Sequence, residues 1–266
     1  MDKTVLIDAD AIVYSAGWAG CRRYYVYRGK EYQYKKELPP GYDEDDLHLV
    51  VEPEELRNTY SNVRKAMDSI LEALAPVNTF KAYLTGKGNF REKIATIQPY
   101  KGNRSEDSKP PFYSEIRKYL VDTYAADVVE GMEADDRISI EFCKDVGNTI
   151  VAAVDKDYLQ IPLLRMYNIQ KKEVITVTPI EAHRNFYTQV LMGDTTDNIP
   201  GLQGVGKKTA EKLLANQVCP IKMEQLCYNE YRKAHAGKAW DYFVENATLL
   251  YLLRKEEDRW EPKIKP

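Results

Sequence analysis

The chain has 266 residues, 44% of them hydrophobic and 30% charged, with a formal net charge of −3. That length can bury a sizeable core in one large domain or two small ones, and the composition is ordinary for a soluble globular protein. The charge excludes a generally basic nucleic-acid binder, so any such contact must use local basic patches or metal ions that neutralise acidic groups.

The four cysteines, Cys21, Cys143, Cys219 and Cys227, form no CxxC pair, and His48, His183 and His235 are scattered. A zinc site is therefore not expected. The opening MDKTVLIDAD is too polar for a secretion signal, and no run reaches the roughly 18 apolar residues of a membrane helix. A reducing, cytoplasmic setting is the expectation. Most of the 20 tyrosines are expected at the edges of the core, where ring and hydroxyl are both satisfied.

Along the chain, Thr4 to Ile7 is a short β-branched run ending in Asp8, which predicts a buried parallel strand. Arg22 to Tyr34 predicts a hairpin turning at Arg28-Gly29-Lys30; it leads into the acidic PPGYDEDD loop and forms an insertion over about 22–50. Glu54 to Leu74 repeats its apolar residues with a period near 3.6 and predicts a helix. Thr79 to Leu84 and Thr149 to Val154 predict further strands, the latter followed by Asp155. Tyr113 to Tyr124 and Glu133 to Val146 predict helices, while Asn103 to Pro111 reads as a mobile loop. From Pro179 onward the chain reads as mostly helical. Alternating strands and helices predict an α/β fold with a mainly parallel central sheet, over residues 1–178, and a helical region over 179–266.

In such sheets ligands bind beyond the carboxyl ends of the strands. Asp8 and Asp155 are placed there. Glu133, Asp135 and Asp136 open a helix, Asp157 follows Asp155, and Asp194 and Asp197 precede a glycine-rich turn. Any one pair reads equally as a helix cap or a solvated surface acid. Four groups at strand ends and helix starts point instead to convergence. Clustered carboxylates repel unless divalent cations sit among them, and oxygen-only ligands suit magnesium or manganese. Two such ions about 4 Å apart activate water and stabilise a leaving oxygen in phosphodiester hydrolysis.

Two basic segments add to this. In IPGLQGVGKKTAEKLL (199–214), Gly201, Gly204, Val205 and Gly206 open into Lys207, Lys208 and an amphipathic helix. Exposed amides at such a helix start bind phosphate, and this helix-hairpin-helix turn grips a DNA backbone without reading bases. The alternative is a plain tight turn between helices; a dinucleotide site is rejected, because no strand precedes the turn. In FREKIATIQPYKGNR (90–104), Arg91, Lys93, Lys101 and Arg104 surround Tyr100, a composition suited to clamping phosphate and stacking a base, or to a solvated helix face.

In the blocks VLIDAD (5–10), FR…PYKGNR (90–104), GMEADD (131–136), AVDKDYLQI (153–161) and GDTTDNIPGLQGVGKKTA (193–210), the sequence resembles the flap endonuclease / 5′-3′ exonuclease family. The likeness is to its bacteriophage members and to the 5′-nuclease domain of bacterial DNA polymerase I. The resemblance implies a PIN-like 5′-nuclease fold with a two-metal site, magnesium or manganese, at Asp8, Glu133, Asp135, Asp136, Asp155, Asp157, Asp194 and Asp197. It implies Lys101 and Arg104 at the scissile phosphate, and an arch over about 90–119 that admits single-stranded 5′ ends. Arg91 and Tyr100 would contact DNA, and the turn would hold duplex backbone, often with potassium. The expected activity is release of short 5′-terminal products from DNA ends, nicks or flaps, with RNA in RNA–DNA hybrids a further substrate. The expected partner is DNA and the expected state a monomer, in a phage replication or recombination role. One departure stands out. The family carries another aspartate at the end of the second strand, where this chain reads Tyr83-Leu84-Thr85-Gly86. Asp10 either takes part of that role or caps the following helix. The missing acid motivates a second reading, a catalytically weak protein that binds DNA structures; a small ribonuclease on a related fold ranks below both.

Overall fold

A computed structural model describes residues 3–104 and 108–266. The first strand, β1 (Thr4–Asp8), runs into α1 (Ala9–Ala19). Then come the insertion strands β2 (Cys21–Tyr27), β3 (Lys30–Tyr32) and β4 (Leu47–Pro53), and the long helix α2 (Leu56–Leu74). β5 (Thr79–Thr85), α3 (Phe90–Ile94), α4 (Tyr113–Tyr124), β6 (Asp127–Val129), α5 (Ala134–Lys144) and β7 (Thr149–Ala153) follow. A 3₁₀ turn, Lys156–Gln160, leads to β8 (Arg165–Asn168) and β9 (Glu173–Thr176).

The main sheet has the order β6-β5-β1-β7-β8-β9, parallel throughout except for the antiparallel edge strand β9. The three expected strands are its centre. β1 and β7 are apolar runs because both their faces are covered. Successive side chains serve opposite faces. Val5, Ile7, Ala82, Leu84, Ile150 and Ala152 pack against α1, α2 and α4, whereas Leu6, Tyr83, Val151 and Ala153 pack against α5. The period of two in the strands thus divides one core into two layers.

The predicted hairpin is present and gains a third strand. β4 pairs with β2 along its whole length, giving a small sheet of order β3-β2-β4 that extends the insertion to Pro53. Beyond Thr178, whose hydroxyl caps the next helix, come α6 (Pro179–Met192), the short pair β10 (Gly193–Asp194) and β11 (Ile199–Pro200), α7 (Lys207–Leu214), α8 (Pro220–His235) and α9 (Ala239–Leu250). These helices share a third core around Val190, Leu214, Met223, Tyr231 and Phe243. The tail folds back over it, where Glu224 accepts from the backbone amides of Lys263 and Ile264. Among the described residues no helix is long and apolar enough to cross a membrane.

Candidate metal and nucleic-acid site

The parallel strands end together, and their connections carry acids. Asp8 ends β1 and its carboxylate accepts from the amide of Ala11 at 3.4 Å, capping α1. Glu133 and Asp135 open α5, Asp155 follows β7, and Asp157 lies in the 3₁₀ turn after it. Asp8, Asp10, Glu133, Asp135 and Asp155 line a cavity of about 260 Å³ with Lys101 and Arg104 at its rim. Asp157 and Asp197 border a narrower cleft that shares Glu133 and Asp135 with it. Larger grooves lie on α8 and under the tail, away from this convergence of charge.

Some acids are neutralised from within. Lys101 donates to Glu133 and lies 3.7 Å from Asp197; Arg104 donates to Asp197 at 2.7 Å; Lys156 donates to Asp194 at 2.8 Å. Among the described residues Asp8, Asp135, Asp155 and Asp157 have no cation at ion-pair distance. Their titration follows. Burial, then Asp10 and Asp155, push Asp8 up to about 7. Burial, then Asp155 and Asp194, do the same to Asp157, also to about 7. Burial with Glu133 and Asp136 holds Asp135 well above the carboxylate range. Glu133 is buried too, but Lys101 and Arg91 outweigh that and lower it, as Lys156 lowers Asp194. Asp197 stays raised, because burial wins over Lys101. A carboxyl group raised by like charges is stabilised by a cation placed among them. The donor set is all oxygen, which fits a hard divalent ion. Among the described residues, however, no three potential ligands are gathered tightly enough to form a ready coordination sphere; the acids surround a space rather than a point.

The glycine-rich turn joins α6 to α7. Gly204 has φ +77°, the left-handed region that favours glycine. A Cβ on Gly201 would stand 2.0 Å from the Met192 carbonyl carbon, so this crossing of two backbones requires glycine. Val205 packs toward the third core, while Gly206 caps α7 with no side-chain bond, leaving the first-turn amides beside Lys207 and Lys208.

No protein-family model matches the chain. DNA polymerase I of Bacillus caldotenax is 28% identical over 235 residues, which cover 80% of this chain and 23% of that one. Flap endonuclease Xni of Shewanella piezotolerans is 30% identical over 141 residues, covering 47% of this chain and 54% of the other. The chain thus spans about a quarter to half the length of these curated relatives. A solved structure of a T5 5′-exonuclease variant superposes with a TM-score of 0.58 at 12% identity, over 95% of this chain and 89% of that one, a likeness of fold. The chain is similar to proteins named 5′-3′ exonuclease, flap endonuclease and DNA polymerase I.

Three of the residues expected at the site lie in buried contacts in this structure. The sequence places Asp136 among the metal acids, but its carboxylate is fully buried and taken up by Arg91, at 2.5 and 2.9 Å, and by the amides of Glu133 and Leu253. Arg91, expected at the DNA, is 1% exposed and also donates to the carbonyls of Leu249 and Tyr251. Tyr100, expected to stack on a base, is buried, and its hydroxyl donates toward Glu133 and Asp197, both at 2.8 Å. Residues 90–104, the start of the expected arch, lie packed down: the amides of Thr96 and Ile97 donate to Glu245, and Asn103 donates to the Thr195 carbonyl. Ser105, Glu106 and Asp107, inside both the expected arch and the expected mobile loop, lie outside the described residues.

β5 ends at Thr85, whose hydroxyl accepts from the Ala134 amide at 3.0 Å, and a Cβ on Gly86 after it would stand 2.5 Å from the Val129 carbonyl oxygen. Asp10 reaches across to this strand end. Its carboxylate accepts from the Thr85 amide and from Arg117, each at 2.8 Å. Asp8, not Asp10, is the helix cap. Two aromatics in the cavity lining escape the sequence reading: Tyr14 and Tyr113, edge to face at 6.0 Å. The Asp10–Tyr14 spacing of one helical turn is the signal that would have found the first.

Proposed function

We propose that this chain is a divalent-metal-dependent 5′-3′ exonuclease and flap endonuclease, hydrolysing phosphodiester bonds near DNA 5′ ends. One observation carries the proposal: the half-buried Asp8 and Asp135 and the exposed Asp155, none with a cation at ion-pair distance among the described residues, line one cavity with Lys101 and Arg104. Magnesium or manganese suits this donor set, with Asp8, Asp135 and Asp155 holding one ion and Asp157, Asp197 and Glu133 the second. Such ions, when bound, supply a water nucleophile at neutral pH and stabilise the leaving oxygen.

The chain's own side chains account for the rest. Burial works to lower Lys101, but Glu133 and Asp197 more than offset it, so its ammonium stays charged. It serves as a fixed positive group for phosphate rather than as a base, and Arg104 beside it offers a planar fork to the same oxygens. Tyr14 and Tyr113 wall the mouth, where a terminal base would lie. The turn at Gly201–Gly206, with Lys207 and Lys208, holds duplex backbone, and potassium would sit on its carbonyls. Backbone gripping does not depend on the base, so RNA in RNA–DNA hybrids is a further substrate. The substrate form is a duplex with a 5′ end, nick or flap, and the acting unit a monomer.

A second reading, a DNA-structure-binding protein with weak catalysis, draws on the end of β5, where Tyr83-Leu84-Thr85-Gly86 offers no carboxylate. One experiment separates them. A 5′-labelled nicked duplex and a 5′-flap duplex are incubated with the protein in magnesium and in EDTA, with Asp155→Asn as control. Short 5′ products that need magnesium and vanish in the variant support the nuclease. Binding to both substrates without cleavage, even in manganese, hands the case to the binding protein.

A further inference from the structure

The sheet β3-β2-β4 contributes nothing to the acid cavity and belongs to none of the three cores. Its two faces differ in charge. On one, Arg22 lies 3.0 Å from Glu31 and 3.6 Å from Glu52, and the Tyr24 hydroxyl donates to Glu52 at 2.8 Å. The strand register turns Arg23, Tyr25, Lys30, Tyr32 and Leu49 to the other face. Both strand glutamates point away from that second face. Among the described residues neither Arg23 nor Lys30 has an ion-pair partner. Each instead lies over a ring, Arg23 over Trp18 at 5.5 Å and Lys30 over Tyr32 at 5.2 Å. At the turn end Tyr42 covers Tyr27, and the acidic loop meets Arg28 through Asp46 and, beside Tyr25, Lys35 through Glu44, so the open stretch is the part built from Arg23, Lys30 and Tyr32.

This face is continuous with the cavity. α1 places Asp10, Tyr14 and Trp18 at successive four-residue steps, which keeps them on one stripe. Asp10 lines the cavity, and Tyr14 and Arg104 line both it and the groove beside it. Trp18 meets Arg23 at the root of the sheet.

We infer that this sheet face is a docking surface for a single nucleic-acid strand that leaves the cleavage cavity along α1. Cations without neighbouring carboxylates attract phosphates, and rings at the same surface take bases by stacking whatever their identity. A protein partner would need a broader apolar patch than Leu49 and its neighbours offer. The inference rests on the nuclease reading, and its test is read by binding alone.

Full-length protein is titrated onto fluorescent nicked duplexes with 5′ flaps of increasing length, calcium replacing magnesium. Wild-type affinity is expected to rise with flap length and then level off. In the double variant Arg23→Glu, Lys30→Glu the rise is lost, a drop of roughly tenfold on long flaps. The salt dependence on those flaps becomes shallower by about 1.4, two phosphates at about 0.7 each. Binding to the duplex without a flap stays unchanged and reports intact folding; Tyr32→Ala, which removes only a ring, weakens the rise without touching the salt slope. The inference is overturned if wild type shows no rise, if the variants keep it, or if they lose flapless binding by the same factor. Failure of the nuclease reading would appear elsewhere, as absence of magnesium-dependent cleavage on every substrate.

Discussion

At Asp8 and Asp157 the raised carboxyl values, both about 7, make folding and metal binding pH-linked. The unfolded chain releases these protons near the ordinary aspartate value, while the folded chain keeps them. Between about 4 and 7 the folded state therefore binds more protons, and stability falls as pH rises. Glu133 and Asp194, held low by lysines, act in the opposite sense only below that window. In EDTA the melting temperature is expected to decline from pH 5 to pH 8. Magnesium should raise it more at pH 8 than at pH 5.5; an equal gain at both would mean that these acids do not meet the ion.

Arg91 yields a second prediction at the same scale. Its guanidinium is the partner of a fully buried carboxylate, so Arg91→Met leaves Asp136 buried without a countercharge, at a cost of about 3–5 kcal/mol. Arg91→Lys recovers little, because an ammonium cannot reproduce the two-pronged contact. Chemical unfolding midpoints test this; a variant as stable as wild type would return Arg91 to the surface. The sequence could not separate the two roles. A phosphate clamp and a buried ion pair use the same residue type, and the partners of Arg91 include Leu249 and Tyr251, far downstream. The acids were legible because strand ends and helix starts announce themselves in local sequence.

Among elements, the α6–α7 turn is the most demanding of its residue types. Gly201→Ala is expected to lower the unfolding midpoint and weaken duplex binding together, since the added carbon has no room beside Met192. Lys207→Ala and Lys208→Ala should instead leave the fold intact. Each reduces the salt slope of duplex binding by about 0.9, one phosphate contact. Unchanged slopes would move the duplex elsewhere. The central strands, the main helices and the hairpin were readable from period and turn chemistry. β4 was not, because Leu47–Pro53 alternates too weakly to signal a strand until β2 pairs with it. The short β6, β8 and β9 likewise owe their existence to the sheet beside them rather than to their own residues.

Across the whole molecule, the acid cavity and the C-terminal helices are one construction. Gln160, the last residue of the 3₁₀ turn after β7, donates to the Leu250 carbonyl at 2.8 Å and accepts from the Leu252 amide at 3.0 Å. Asp136 takes the Leu253 amide as well. A chain cut before α9 is thus expected to lose the magnesium-dependent rise in melting temperature, not merely affinity for duplex; retention of that rise would show that the cavity stands without them.

The same long reach sets an order in time during synthesis. Asp136 and Arg91 emerge from the ribosome long before Leu249, Tyr251 and Leu253, so the support beneath Glu133 remains open until those residues have followed. A growing chain of this kind carries its acids without their scaffold. The cavity that these acids line would therefore take its final form only after α9 and the residues just beyond it have been made.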